Sequence, residues 1–195
     1  GLGPIHETKD QRGMLSSVTQ NAYHVNTPQD IPKLIHSAFT RFGTARPRPI
    51  SIQIPVDLQG EINDFNTPDP VPAPVQKAND NSVKKAAALI LKSKRMGILA
   101  GTGIHRSGAS QELTNLVEKL GVPVFTTANG KGSIAEDHPL SLGMYGGEYE
   151  FPPGNLVDPR QTFANSLETL LVVGSSLSWF RVKSQGLKQP PNLIH

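Results

Sequence analysis

Met96-Gly97-Ile98-Leu99-Ala100-Gly101-Thr102-Gly103 is the stretch on which the fold turns. Its first five residues read as a short buried strand, and the glycines that follow at once mark its end. Gly108 then stands ahead of a periodic segment, Ser110 to Leu120, in which Leu113, Leu116, Val117 and Leu120 recur at helical spacing and Gly121 supplies the stop. Val122 to Thr126 reads as the next strand, Leu170 to Val173 as a third that ends at Gly174, and Asn192 to His195 as the start of a fourth. Upstream, Ser82 is placed to cap a helix through about Lys94 that carries Val83, Ala86, Ala87, Ile90 and Leu91 on one side. Strands and helices alternating in this order predict an α/β fold, a Rossmann-like parallel sheet with helices on both faces.

Outward toward the start, Thr27-Pro28-Gln29-Asp30 offers a capping hydroxyl, a proline at the first helical position and an acid in the first turn. Ile31, Leu34, Ile35, Ala38, Phe39 and Phe42 then make one apolar face, and Gly43 is the expected stop. Ile50, Ile52 and Ile54 alternate with Ser51 and Gln53 before Pro55, the period of a strand. This is half of a βαβ unit, so residues 1–59 are expected to be part of an α/β domain. Pro68, Pro70, Pro72 and Pro74 occupy every second position within residues 60–81, which suits a stiff extended linker. Residues 82–195 make the second domain, and within it the Gly- and Pro-rich stretch from Gly130 to about Pro159 predicts long loops with little regular structure.

The whole chain has 195 residues, with 19 Lys and Arg against 16 Asp and Glu and a net charge of +3. So small an excess points to no nucleic-acid partner. There is no cysteine, which excludes disulfides, thiolate metal sites and a cysteine nucleophile. The longest apolar runs, such as Leu170 to Val173, fall far short of the roughly 20 residues that span a bilayer, so a soluble chain without a membrane partner is expected; the cytoplasmic location expected for it is one that the absence of cysteine allows. Gly1-Leu2-Gly3-Pro4 has neither an initiating Met nor the pattern of a secretion signal, and a processed or truncated product is expected.

Three loops at the carboxyl ends of expected strands carry small polar residues: Gly101-Thr102-Gly103, Thr126-Thr127 and Gly174-Ser175-Ser176. In doubly wound sheets ligands lie at that edge, so the three are expected to converge on one crevice. Glycines after a strand let a phosphate approach the backbone, but Arg106 stands where a dinucleotide fingerprint needs its third glycine. A tight turn and a nucleotide contact both fit the first loop, and small polar residues also end strands for purely structural reasons. The histidines His6, His24, His36, His105, His138 and His195 show no paired metal-binding spacing, so no metal site and no catalytic residue is assigned. His138 in Asp137-His138-Pro139 reads as turn chemistry, and His6-Glu7 as a solvated pair that could in principle do acid-base work.

An ordered set of phrases is more specific. His6-Glu7-Thr8-Lys9-Asp10-Gln11, Val18-Thr19-Gln20, His24-Val25, Arg46-Pro47-Arg48-Pro49-Ile50 and Ile54-Pro55-Val56-Asp57 resemble the later half of the pyrimidine-binding domain of thiamine diphosphate-dependent enzymes, of the acetolactate synthase and 2-oxo acid decarboxylase type. After the proline-rich stretch, Ala100-Gly101-Thr102-Gly103, Leu120-Gly121-Val122-Pro123-Val124, Gly130-Lys131-Gly132-Ser133-Ile134, Glu136-Asp137-His138-Pro139-Leu140, Leu142-Gly143 and Leu171-Val172-Val173-Gly174-Ser175 resemble that family's central domain in the same order.

The resemblance implies a non-catalytic fragment of an enzyme acting on a 2-oxo acid with thiamine diphosphate and Mg²⁺. The activating glutamate and the Gly-Asp-Gly metal motif of the family fall outside the matched residues. It implies homo-oligomers, dimers or tetramers, and it leaves a stand-alone nucleotide-binding module for FAD, ADP or NAD, or an oligomerisation scaffold, as alternatives. Where acetolactate synthases commonly have Phe-Gln, this chain has Ile5-His6, which leans toward a decarboxylase or another carboligase. The family's central-domain nucleotide, FAD or ADP, would map onto Gly101, Thr102 and Gly103, onto Thr126 and Thr127, onto the loop from Gly143 to Gly146, and onto Gly174, Ser175 and Ser176. An arginine usual in FAD-binding members is replaced by Ser175-Ser176-Leu177, and this points to an empty nucleotide site.

Overall fold

The computed structural model of the chain describes residues 8–44, 46–65, 67–69, 77–145, 159–178 and 186–195. The chain divides into two compact units, Gly1–Lys77 and Ala78–His195.

In the first unit the described elements are α1 (Gln11–Val18), β1 (Asn21–His24), α2 (Asp30–Thr44), β2 (Ile50–Gln53) and the single turn α3 (Val56–Gln59). β1 and β2 pair in parallel, Asn21 opposite Ile50 and His24 opposite Gln53, so α2 is the crossover of a βαβ unit. The sequence showed only its second half. α1 and β1 escaped because Gln11–Val18 has a glycine at its third position and Asn21–His24 holds only two apolar residues.

α2 starts later and ends later than its sequence signals. Thr27 does not cap it in the expected sense; the Asp30 carboxylate accepts from the Thr27 N–H at 3.1 Å and from its hydroxyl at 3.2 Å. Gly43 does not stop it, and the Thr44 hydroxyl bonds back to the Thr40 carbonyl at 2.9 Å. Of its apolar face only Ala38 is buried, while Phe39 is 69% exposed and meets Phe42 edge-on.

The second unit contains α4 (Asp80–Lys92), β3 (Met96–Ala100), α5 (Gly103–Ser107), α6 (Ser110–Leu120), β4 (Val124–Thr126), a 3-10 turn (Ala128–Gly130), β5 (Ser141–Met144), α7 (Pro159–Asn165), β6 (Thr169–Val173) and β7 (Asn192–Ile194). The five strands form one sheet in the order β5-β4-β3-β6-β7, every neighbouring pair parallel. This is the Rossmann-like layered α/β fold expected. β3 lies at the centre and is buried along its whole length, as a parallel strand covered on both faces must be.

Alternation along the strands sends side chains to two cores. Met96, Ile98, Ala100 and Val124 face Ile104, Leu113 and Val117 of α5 and α6. Leu99, Phe125, Leu170 and Val172 face Ala164 of α7, with Leu167, Tyr145 and Leu187. Gly97 is fitted to this second face, because a Cβ there would stand 2.9 Å from Leu167 Cδ1.

Several local expectations are corrected. Asn79, not Ser82, caps α4, its side chain accepting from the N–H groups of Asn81 and Ser82, so the helix begins at Asp80. The expected loop region from Gly130 onward contains β5, whose Gly143 takes φ +73 and breaks the strand-like pattern. α5 occupies the expected turn between Gly103 and Gly108, and Gly108 at φ +67 ends it rather than opening the next helix. α6 ends where expected, at Gly121 with φ +62.

Candidate functional site

In the order β5-β4-β3-β6-β7 the chain moves outward from β3 to one side, returns, and continues from β6 on the other. The reversal falls between β3 and β6, the place where loops leave in opposite directions and a crevice opens. A crevice of about 310 Å³ lies there. Thr102 after β3, Thr127 to Asn129 after β4, and Gly174, Ser175, Ser176 and Ser178 after β6 line it, with Leu99, Tyr145 and Leu187 as the apolar part. Its lining is hydroxyl, amide and aliphatic surface, with no ionised side chain among the described residues.

The three loops are pressed together by backbone contacts. Gly101 donates its N–H to the Val173 carbonyl at 2.8 Å, Gly103 donates to Gly174 at 2.7 Å, and Thr127 donates to Ala100 at 2.9 Å. A Cβ on Gly101 would lie 2.7 Å from Ser175 Cα, and one on Gly130 would lie 2.9 Å from Gly101 Cα. These glycines let backbone approach backbone. With their N–H groups engaged by carbonyls, Gly101 and Gly103 have no main-chain donor left for an anion.

Of the site residues expected from sequence, Thr102, Thr127, Gly174, Ser175 and Ser176 line the crevice. Gly101 and Gly103 lie behind it in the inter-loop contacts, and Thr126 is buried at the end of β4, where its carbonyl accepts from the Tyr145 N–H at 2.8 Å. Gly143 sits in β5 beside Arg160, away from the lining, and Gly146 is outside the described residues. His6 and Glu7 are outside them as well. Asn129, Ser178 and Leu187 were not anticipated, whereas Tyr145 falls within the Gly143 to Gly146 loop expected from the resemblance. Asn129 sits two residues beyond Thr127, so a wider window on the β4 loop would have included it; Leu187 reaches the crevice only through the packing of a distant segment.

Two of the histidines bind loop carbonyls. His105 Nε2 lies 3.0 Å from the Lys131 carbonyl and 3.3 Å from Ser133 Oγ, and His195 Nε2 lies 2.6 Å from the Ser175 carbonyl. His138 serves the turn, accepting from the Leu140 N–H on Nδ1 at 3.2 Å with Glu118 on Nε2 at 3.4 Å. Among the described residues no three His, Cys, Asp or Glu side chains gather into a group that could hold a metal ion. Nor is any described helix long and apolar enough to cross a membrane.

Comparison with known proteins bears on what this site is. The family described as thiamine pyrophosphate enzyme, central domain, matches residues 83–195. A protein of Methanocaldococcus jannaschii described as a probable acetolactate synthase large subunit is 41% identical over 144 residues, which is 70% of this chain and 24% of the relative. The probable 2-ketoarginine decarboxylase AruI of Pseudomonas aeruginosa is 32% identical over 145 residues, 73% of this chain and 26% of that protein. The chain thus spans about a quarter of the length of these relatives. The crystal structure of benzoylformate decarboxylase from Polynucleobacter necessarius superposes with a TM-score of 0.71 at 20% identity, over 89% of this chain and 31% of that one, and so shares the fold. By its match over residues 83–195, the chain belongs to the thiamine pyrophosphate enzyme family, as a fragment that includes the central domain.

Proposed function

We propose that this chain is the non-catalytic portion of a thiamine diphosphate-dependent enzyme that decarboxylates or carboligates 2-oxo acids. The observation that carries the proposal is the match of residues 83–195 to the family's central domain. A stand-alone nucleotide module is not favoured, because that match makes the crevice part of a larger enzyme. Residues 1–59 are read as the end of the pyrimidine-binding domain, 60–81 as the linker and 82–195 as the central domain. When bound, thiamine diphosphate supplies the carbanion that adds to the 2-oxo acid and stabilises the electron pair left by loss of CO₂. Diphosphate and Mg²⁺ are assigned to parts of the whole protein outside this chain, because the family's Gly-Asp-Gly motif falls outside the residues that resemble it. Assembly as a homo-oligomer and residence in the cytoplasm complete the reading.

Ile5-His6 in place of Phe-Gln favours a decarboxylase or another carboligase over an acetolactate synthase, and similarity to a protein described as a 2-ketoarginine decarboxylase is compatible with it, whereas the higher identity to a probable acetolactate synthase weighs the other way. Within this chain the crevice is the candidate ligand site. Thr102, Thr127, Asn129 and Ser176 suit the ribose and base of ADP or FAD better than their phosphates, since the described lining carries no ionised side chain and the N–H groups of Gly101 and Gly103 are engaged. Ser175-Ser176-Leu177 in place of the family's arginine argues instead for a crevice without nucleotide.

The test is CO₂ release by the whole protein given thiamine diphosphate, Mg²⁺, and pyruvate, benzoylformate or 2-ketoarginine, alongside residues 1–195 alone. Turnover by the whole protein and none by the fragment is expected. Turnover by the fragment would overturn the non-catalytic assignment, and inactivity of the whole protein on every 2-oxo acid would overturn the reaction class. Calorimetric titration of the whole protein with ADP and FAD decides between a nucleotide-holding and an empty crevice.

A further inference from the structure

Two histidines stand outside the crevice, and each reaches one of the loops that form it. His105, on α5, follows Thr102, while Lys131, whose carbonyl it meets at 3.0 Å, follows the Ala128–Gly130 turn. His195 follows β7 and meets the carbonyl of Ser175, a lining residue, at 2.6 Å. A carbonyl only accepts, so Nε2–H is the donor in both contacts. Ser133 agrees with this: its hydroxyl donates to Gly130 at 2.6 Å, leaving its oxygen free to accept a share of the His105 proton.

The loop that His195 reaches is also the strained one. Leu177 has φ +45, a conformation that a leucine rarely adopts, and among described non-glycine residues it alone has positive φ. Its N–H donates to Ser175 Oγ at 3.1 Å and its side chain packs on the Leu99–Phe125 core. Strain of this kind persists where surroundings over-determine a conformation, and it concentrates where a shape is used. Because Ser175 Oγ already accepts from Leu177, its own proton is free to donate, and Ser175 lines the crevice.

We infer that His105 and His195 are positioning residues, a pair of exposed clasps that hold the β4 and β6 loops at the separation needed for a ligand and leave Ser175 O–H as a preset donor. The inference rests on the reading that the crevice takes a ligand. Both histidines are exposed, so their loss leaves the sheet and its two cores intact.

The experiment uses the whole protein without ligand, and follows amide hydrogen exchange in segments 127–133 and 174–178 for H105A, H195A, H105Q and H195Q. Glutamine can present an N–H at about the reach of Nε2. H105A is expected to speed exchange in 127–133 and H195A in 174–178, each roughly fivefold, the effect of losing one hydrogen bond. H105Q and H195Q should restore the wild-type rates, and the melting temperature should not move. Wild-type exchange in both alanine variants, or an equal rise in β3 and β4 that marks ordinary destabilisation, would overturn the inference. Titration with ADP and FAD then links the clasps to binding: if the wild type binds either, the alanine variants should bind it roughly fivefold more weakly, and unchanged affinity would overturn the inference. If the wild type binds neither, the nucleotide reading fails, while the exchange rates still decide whether the clasps exist.

Discussion

Gly103 donates its N–H to the Gly174 carbonyl at 2.7 Å, and the two backbones lie so close that a Cβ on Gly103 would stand 2.5 Å from Gly174 Cα. The loops after β3 and β6 therefore meet directly where the strand order reverses. Gly174, at φ +67, turns the chain away at that point, and the crevice opens beside the contact.

Replacing Gly103 by alanine should force these loops apart. A methyl group has no rotamer with which to escape a backbone neighbour, so urea denaturation should show a loss of about 1–3 kcal/mol. Gly121→Ala is the contrast. Its Cβ would meet nothing within 4 Å, and only the left-handed backbone at φ +62 resists it, at about 1 kcal/mol. Equal stability of G103A and wild type would refute the backbone-to-backbone contact.

Asn79 and Ser82 make opposite predictions for α4. Asn79 accepts from two N–H groups at 2.9 and 3.4 Å, so Asn79→Ala should cost about 1 kcal/mol. Ser82→Ala should leave the midpoint of chemical denaturation unchanged, because its hydroxyl is not the cap. The reverse result would return the helix start to Ser82.

Phe125 is 1% exposed, meets Tyr145 edge-on with ring centroids 5.8 Å apart, and stands 6.0 Å from the Phe163 ring. Phe125→Ala should therefore lower stability by about 3–5 kcal/mol. Thermal unfolding followed by circular dichroism would show this as a large fall in Tm, and a fall equal to that of an exposed substitution such as Leu91→Ala would contradict the packing.

Ser133 has no exposed surface, and its hydroxyl donates to the Gly130 carbonyl at 2.6 Å. Alanine there removes this donor, while the Gly130 carbonyl keeps the Ser133 N–H at 3.0 Å, so the expected cost is that of one hydrogen bond, about 0.5–1.5 kcal/mol. Thermal melts of Ser133→Ala and Ser133→Thr distinguish the lost hydrogen bond from lost space. Stability of the alanine variant equal to wild type would show that the hydroxyl contributes nothing.

The second unit was far more legible than the first. Met96 to Ala100 and Leu170 to Val173 are apolar runs bounded by glycine or polar residues, and such runs signal buried parallel strands without help from the rest of the chain. Ser141–Met144 offers no such run. It is a strand because β4 presents an open edge to it, and its register shifts between Val124 and Thr126 in a way no local pattern encodes. The candidate site divides similarly. Thr102, Thr127, Gly174, Ser175 and Ser176 follow strands in sequence and so could be named in advance. Leu187 joins them only because Phe125 and Leu99 pack against the same core.

By itself the sequence determined the alternation of strands and helices in the second unit, the stops at Gly101, Gly121 and Gly174, and the family to which their order belongs. Those properties depend on near neighbours along the chain, through hydrophobic period and backbone conformation. Tertiary structure alone decided what the glycines are for. Nothing local distinguishes a glycine that admits a phosphate from one that admits another backbone, and only the approach of residue 174 to residues 101 and 103 settles that their N–H groups face carbonyls. The positions of His105 and His195 have the same origin, since each is separated from its carbonyl partner by 20 or more residues and meets it only when the sheet has closed.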